Sequence, residues 1–405
     1  MSRVKVTHPT AKIDVTIPLT SSKSESNRAL IIQALAEGGI ELKNLAEARD
    51  TQTMIRLLAS EEQTLDVLDA GTTMRFLTAW SVATGRDTIM TGTERMQERP
   101  IAILAEALKE LGGDVEYLGK EGYPPLRIKG FKQKTNQISV KGDVSSQYIS
   151  ALLMIAPVLP EGLELKLLGE VASRPYIEMT LQLMTSFGVD WKWDGDTITV
   201  AHQAYQAGTF TVESDWSGAS YWYSIAALAK DAKIKLLNLR EESLQGDSAI
   251  VEIMEKLGVN STFDAEGVLL TKGTISEDFD YDFTHCPDLA QTIVALCAAL
   301  GVKARLTGLK SLRIKETDRI QALYNEVKKL GTTIEVIGDD EIIVPVGQLK
   351  FPEGVTVDTY EDHRMAMAFA PLALVHPVVI EEPDVVKKSY PRYWEHLELA
   401  GFEVE

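Results

Sequence analysis

The sequence predicts an α/β protein assembled from six similar repeats, and three observations carry that prediction. Six strongly apolar runs of helix length each follow a polar opening: Ser22-Lys23-Ser24, Gly71-Thr72-Thr73-Met74-Arg75, Ser145-Ser146-Gln147, Asp215-Trp216-Ser217, Pro287-Asp288 and Asp362-His363-Arg364. A more amphipathic helical segment follows each run, and five of these stop at Gly112, Gly188, Gly258, Gly331 and Gly401, at intervals of 76, 70, 73 and 70 residues. Alternating, β-rich stretches such as TITVAHQ, VLLTKG and TIEVIGDDEIIVPV lie between the helices. A fixed period of this size marks recurring supersecondary units. Six repeats divide into three and three, giving two lobes with a seam around Gly208 to Ser214 and an anion site between them.

In chain order, residues 1–19 alternate as a strand region. The run ALIIQALA after Ser22 is apolar all round, which marks a buried helix, and DTQTMIRLLAS from Asp50 reads as its partner in a shorter first repeat. FLTAWSVA after Gly71 pairs with RPIAILAEALKELGG, where Pro100 suits a first helical position. YISALLMIA pairs with RPYIEMTLQLMTSFGV, ASYWYSIAALA with DSAIVEIMEKLGV, LAQTIVALCAAL with DRIQALYNEVKKLGT, and MAMAFAPLAL with PRYWEHLELAGF. Ser and Asp at the openings are helix-capping residues, and the terminal glycines supply the left-handed residue that ends a helix. A buried helix with a polar start presents free N–H groups and positive dipole there, which suits an anion. Lys23, Arg75, His363 and Arg364 at these same starts exceed what capping requires.

With 405 residues, the chain should contain two or three domains. Lys and Arg total 41 against 59 acids, so the net charge of -18 argues against nucleic-acid or acidic-membrane partners. Any anion site must then be a local cationic cluster in a negative protein. Cys286 and Cys297 offer neither a disulfide framework nor zinc spacing, and read as small buried hydrophobes in a reducing cytoplasm. The first twenty residues lack a signal-peptide h-region, and no apolar run reaches membrane length.

Eight segments, SSKSESNRA, DAGTTMRFL, ERMQERP, GDVSSQY, SRPY, RIKETDR, EDHRMAMA and KKSYP, lie in that order from residue 21 to residue 391. Together they resemble the ordered motif set of the 5-enolpyruvylshikimate-3-phosphate synthase family; RIKETDR and DHRMAMA are the most specific. The resemblance implies an α/β (α+β) fold of two lobes, each of three βαβαββ repeats, with buried helices whose N-termini face the interdomain cleft. The N-terminal lobe would span 20–213, and the C-terminal lobe 1–19 plus 214–405. The implied reaction joins phosphoenolpyruvate to shikimate 3-phosphate, in a cytoplasmic monomer without cofactor or metal. Both substrates carry a phosphate and a carboxylate, so arginine forks and lysine point charges are the residue types such a site needs.

Residue by residue, the resemblance assigns Ser24 and Arg28 to the shikimate carboxylate side. Ser145, Ser146 and Ser173 fall on the shikimate phosphate positions, with Arg174 and Tyr176 lining that end. Gln147 lies between the substrates; Gly71, Arg99, Arg319, Arg364 and Lys388 match the phosphoenolpyruvate positions, and Lys23 touches both ligands. Arg75 and His363 are supporting residues. Asp288 and Lys315 meet shikimate 3-phosphate, with Asp288 the base at the 5-hydroxyl and Glu316 the acid at the methylene carbon, Lys23 being the alternative acid. Taken singly, Arg319 reads equally as an exposed first-turn residue, and Glu316 and Asp318 as acids favouring a helix start.

Three positions depart from the family pattern. Asp69 replaces the usual Asn, Phe76 the usual Pro and Ser311 a common Asn. Asp69 adds negative charge near an anion site, and Phe76 is expected to alter how the Gly71 to Arg75 helix start meets phosphoenolpyruvate and glyphosate-type inhibitors. Two other functions stay open at this point. One is enolpyruvyl transfer to UDP-N-acetylglucosamine, whose enzymes typically carry a loop cysteine where this chain reads GTERMQERP; the other is a non-catalytic anion-binding homologue.

Overall fold

A computed structural model describes residues 2–405 and divides the chain into two compact units. One holds Ser21–Val212; the other joins the residues up to Thr20 with Glu213–Glu405. The described residues form mixed α/β structure, with five four-stranded sheets and one two-stranded sheet.

Within Ser21–Val212, one sheet runs Thr64–Asp66, Thr88–Thr91, Leu126–Phe131, Gly113–Tyr117, its first pair parallel and the rest antiparallel. A second, Gln137–Lys141, Leu163–Leu168, Thr197–Val200, Lys192–Asp194, has the same pattern. Ile40–Lys43 and Gly208–Thr211 form a parallel pair. The other unit holds three more sheets of the first pattern, led by the parallel pairs Lys12–Ile17 with Asp231–Leu237, Asp278–Asp282 with Lys303–Thr307, and Thr356–Val357 with Val378–Glu381.

Parallel neighbours need a crossover, and here the apolar runs supply it. Gly71–Ala83, Ser146–Ile155, Ala290–Leu300 and His363–Phe369 each connect the two strands of a parallel pair. Each of these helices therefore begins just beyond the carboxyl end of a strand. In one unit Lys23–Leu35, Gly71–Ala83 and Ser146–Ile155 pack on one another; in the other Trp216–Leu228, Ala290–Leu300 and His363–Phe369 do so. Contact on every side explains why these helices are apolar all round. Trp222 and Tyr223 are fully buried with their polar tips satisfied, Trp222 donating to the Tyr390 hydroxyl at 3.1 Å and Tyr223 pairing with Ser261 at 2.8 Å.

The amphipathic segments form Arg49–Leu58, Ala102–Leu111, Arg174–Ser186, Ile250–Lys256, Arg319–Lys329 and Tyr393–Leu399. Pro100 is not a first helical residue, because Ile101 is the N-cap of Ala102–Leu111. All five terminal glycines take positive φ, from 77° at Gly188 to 115° at Gly112. At Gly112 a Cβ would also collide with the Lys132 carbonyl oxygen. Gly112→Ala is therefore expected to cost more than about 1 kcal/mol of stability. Thermal denaturation checks this, and an unchanged midpoint would refute it.

Among the described residues no helix is long and apolar enough to cross a membrane. No group of three His, Cys, Asp or Glu among them could hold a metal ion. Cys286 and Cys297 are buried free thiols, and burial pushes both well above the ordinary thiol range.

Candidate active site

The starts of three buried helices meet in the unit containing Glu213–Glu405. Arg364, at the start of His363–Phe369, donates to the Asp288 carboxylate at 3.0 Å, the Asp288 carbonyl at 3.2 Å and the Ser217 hydroxyl at 3.2 Å. Asp288 lies in the 3-10 turn Pro287–Leu289 that leads into Ala290–Leu300, and Ser217 in the first turn of Trp216–Leu228. Ser217 also donates to Asp247.

Arg319 completes this cluster. Its side chain is only 2% exposed, so it is not the surface residue that the helix pattern alone allows. Its Nε donates to Asp362 at 2.7 Å, Nη1 to Asp288 at 2.9 Å and Nη2 to Glu316 at 2.9 Å. Lys315 stands 3.5 Å from Asp288. Burial alone would push the Asp288 carboxyl up, but Arg364, Lys315 and Arg319 outweigh it and hold that group well below the usual carboxylate range. Asp318 caps the helix Arg319–Lys329 by accepting from the Gln321 amide at 3.0 Å. Glu316 is thus not the cap; its carboxylate faces Arg319. Asp362 caps its own helix through the Arg364 amide at 2.9 Å. His363 and Lys388 are both buried, the latter ending the 3-10 segment Pro383–Lys388.

A second cluster lies within Ser21–Val212. Ser22 caps Lys23–Leu35, and Lys23 is paired with the buried Asp50 at 3.3 Å. Arg28, one turn on, is anchored on four sides. It donates to Thr180 at 2.7 Å, the Ser24 carbonyl at 3.0 Å, Ser150 at 3.2 Å and the Tyr176 carbonyl at 3.4 Å. Burial brings its pKa down to about 10, against opposing contributions from Tyr176 and Glu25. Ser145 caps Ser146–Ile155 through the Gln147 amide at 3.4 Å. Ser173 holds a left-handed backbone at φ 52°, ψ 36° before Arg174–Ser186, a strained conformation of the sort that functional sites retain. Arg174 is half exposed, pairs with Glu178 at 2.8 Å and lies 4.3 Å over the Trp193 ring.

At the start of Gly71–Ala83, a Cβ on Gly71 would stand 2.8 Å from Nη1 of both Arg75 and Arg99 and 2.9 Å from Nη2 of Arg99. Glycine there is what lets two guanidinium groups reach the helix start. Two such cationic helix starts are chemistry for phosphate and carboxylate, and the carboxylate cluster around Arg319 can move protons.

Comparison with known proteins supplies the family. The family model for EPSP synthase (3-phosphoshikimate 1-carboxyvinyltransferase) matches residues 7–60 and 56–397. The chain belongs to the EPSP synthase family. It is 52% identical over 398 residues to the 3-phosphoshikimate 1-carboxyvinyltransferase of Bacteroides fragilis (strain YCH46), covering 98% of this chain and 97% of that one. It is 37% identical over 421 residues to the enzyme of that name from Escherichia coli O1:K1 / APEC, covering 96% and 97%. A solved EPSP synthase from Acinetobacter baumannii superposes with a TM-score of 0.79 at 22% identity, over 100% of both chains, and establishes likeness of fold.

Against the EPSP synthase pattern, the structure gives two of the three departures a neighbour. Asp69 accepts from Arg49 Nη2 at 2.8 Å through both oxygens, so its added charge is matched locally. Phe76 is fully buried in the sixth position of its helix, and Arg28 lies 5.4 Å from its ring centroid. The ring thus supports the Arg28 side of the cluster. Ser311 lies in the 3-10 segment Lys310–Ile314, and nothing in the structure explains its departure. Sequence reasoning missed Ser217, Asp50, Thr180 and Ser150; only Ser217 carried a signal, since it stands in one of the six polar openings.

Proposed function

We infer that this member of the EPSP synthase family transfers the enolpyruvyl group of phosphoenolpyruvate to the 5-hydroxyl of shikimate 3-phosphate. The observation that carries the reading is the gathering of Asp288 and Glu316 on one buried guanidinium, with Arg364 and Lys315 beside them. Glu316 gives a proton to the methylene carbon, making C2 cationic. The 5-hydroxyl oxygen adds to C2 while Asp288 takes its proton, forming a tetrahedral ketal. Glu316, now the carboxylate, takes back a methyl proton and the double bond re-forms as the C2–O bond to phosphate breaks, the departing phosphate receiving the proton held by Asp288. The products are phosphate and 5-enolpyruvylshikimate 3-phosphate, and the balance needs no redox group, nucleotide or metal.

Phosphoenolpyruvate anions draw on Arg319, Arg364, Arg99 and Lys388, with Gly71 and Gln147 alongside. As the first two turn toward substrate, Asp288 loses counter-charge and becomes a stronger base. Lys388, Arg99 and the helix starts stabilise the departing phosphate. Shikimate 3-phosphate is held by Ser145, Ser146, Ser173 and Tyr176 at its phosphate, by Ser24 and Arg28 at its carboxylate, and by Lys315, Asp288 and Lys23 elsewhere. The enzyme acts as a cytoplasmic monomer within aromatic biosynthesis.

Phosphate release from phosphoenolpyruvate with shikimate 3-phosphate or UDP-N-acetylglucosamine as acceptor tests the reading. Release only with the latter overturns it. Against that rival, the loop GTERMQERP has no cysteine and both thiols are buried.

The contact between Phe76 and Arg28 yields a further expectation. Phe76→Leu removes the ring face, a contact worth about 0.5–1 kcal/mol, so the KM for shikimate 3-phosphate should rise about two- to fivefold. Steady-state kinetics should leave the phosphoenolpyruvate KM unchanged. A rise in the latter alone would show that the ring acts on the Gly71 helix start instead.

A further inference from the structure

We propose that Tyr148 is a positioning residue for phosphoenolpyruvate: through the Pro100 carbonyl and Arg75, its hydroxyl sets where the Arg99 guanidinium stands against Gly71. This rests on the enolpyruvyl-transfer reading above. Arg99 Nε is buried and has no hydrogen-bond partner among the described residues, so side-chain bonding there does not aim the group. Its backbone does. The Arg99 amide donates to the Met96 carbonyl at 3.1 Å, closing the short helix Glu94–Gln97. The next residue, Pro100, has no N–H to donate, leaving its carbonyl as the backbone handle on this segment.

Two buried side chains take that handle. The Tyr148 hydroxyl donates to the Pro100 oxygen at 2.6 Å, and Arg75 Nη2 donates to it at 3.1 Å. Arg75 Nη1 meanwhile donates to the Gly71 carbonyl at 3.0 Å, so one rigid guanidinium spans the loop and the helix start. The Tyr148 ring lies 5.9 Å from the Arg75 guanidinium carbon and so restrains the spacer itself. Tyr148 is 6% exposed and Arg75 4%, and both stand on helices whose starts belong to the site, Ser146–Ile155 and Gly71–Ala83. Tyr148 acts on phosphoenolpyruvate through Arg99 and touches no substrate atom.

The test is steady-state kinetics of Tyr148→Phe and Tyr148→Leu, alone and combined with Arg99→Ala. Loss of one hydrogen bond is worth about a three- to tenfold rise in the phosphoenolpyruvate KM for Tyr148→Phe. Tyr148→Leu should raise it further, with the acceptor KM unchanged in both. In the Arg99→Ala background Tyr148→Phe should add nothing, because the group it positions is gone. An unchanged phosphoenolpyruvate KM, parallel rises for both substrates, or full additivity with Arg99→Ala would each overturn the proposal. Phosphoenolpyruvate is the donor in either acceptor assay. If wild-type enzyme uses only UDP-N-acetylglucosamine, the acceptor reading fails, while the Tyr148 comparison is still read with that acceptor.

Discussion

Arg319→Met is expected to lower folding stability at pH 7 by about 3–5 kcal/mol, the usual consequence of removing one partner from a buried ionic cluster. Arg319 is the common counter-ion of Asp362, Asp288 and Glu316, whose side chains are 0%, 18% and 16% exposed. Methionine keeps the apolar stem but leaves three carboxylates to repel one another. The pH dependence has a defined sign. Asp288 is held well below the ordinary carboxylate range once Arg364, Lys315 and Arg319 have outweighed its burial. Its contribution in the native protein is therefore present above the unfolded-state carboxylate value of about 3.9 and is lost as pH falls through the lowered folded value. In the variant, acid relieves the repulsion by protonating the cluster. The gap between wild type and variant should be wider at pH 7 than at pH 4. Denaturant unfolding at both values decides this, and a gap below about 1 kcal/mol at pH 7, or one that widens on acidification, would refute it.

Glu316→Gln and Asp288→Asn should each reduce turnover about 10²–10⁴-fold, the range general acid–base groups supply. The two losses should differ in kind. If Glu316 protonates the methylene carbon, that carbon passes through a methyl and exchanges with solvent, so Glu316→Gln should suppress deuterium entry as well as turnover. Asp288→Asn removes the anion that now engages Arg319 at 2.9 Å and Arg364 at 3.0 Å. Each guanidinium then has one competing anion fewer, so phosphoenolpyruvate binding should be kept or tightened while turnover falls. Near-normal deuterium incorporation and turnover in Glu316→Gln would transfer the acid role to Lys23, which stands 3.3 Å from Asp50.

Eight ordered motifs place the chain in its family without any structure. Many helix starts and stops are legible in the same way, because those signals are local, although Pro100 lies outside Ala102–Leu111 and not in its first turn. Asp215 caps through the Gly218 amide three residues on, and Gly112 ends its helix with its own positive φ. All-round apolarity marked the buried helices for the same reason, since a helix period is written within a dozen residues. Which polar groups face one another was settled by the packing of separate elements. Arg319 looked like a surface residue because its helix is amphipathic, yet its first turn is covered by Asp288 and Asp362, 31 and 43 positions away. Asp318 and Glu316 were equivalent as helix-start acids until geometry made one the cap and the other a partner of Arg319. Phe76 lay beside the Gly71 motif in sequence, but side chains on a helix point to different faces, and its ring met Arg28 on another helix. Tyr148 and Pro100 are 48 residues apart and join through a single hydroxyl. Contacts of this sort depend on how separate helices pack, and no short-range pattern encodes that.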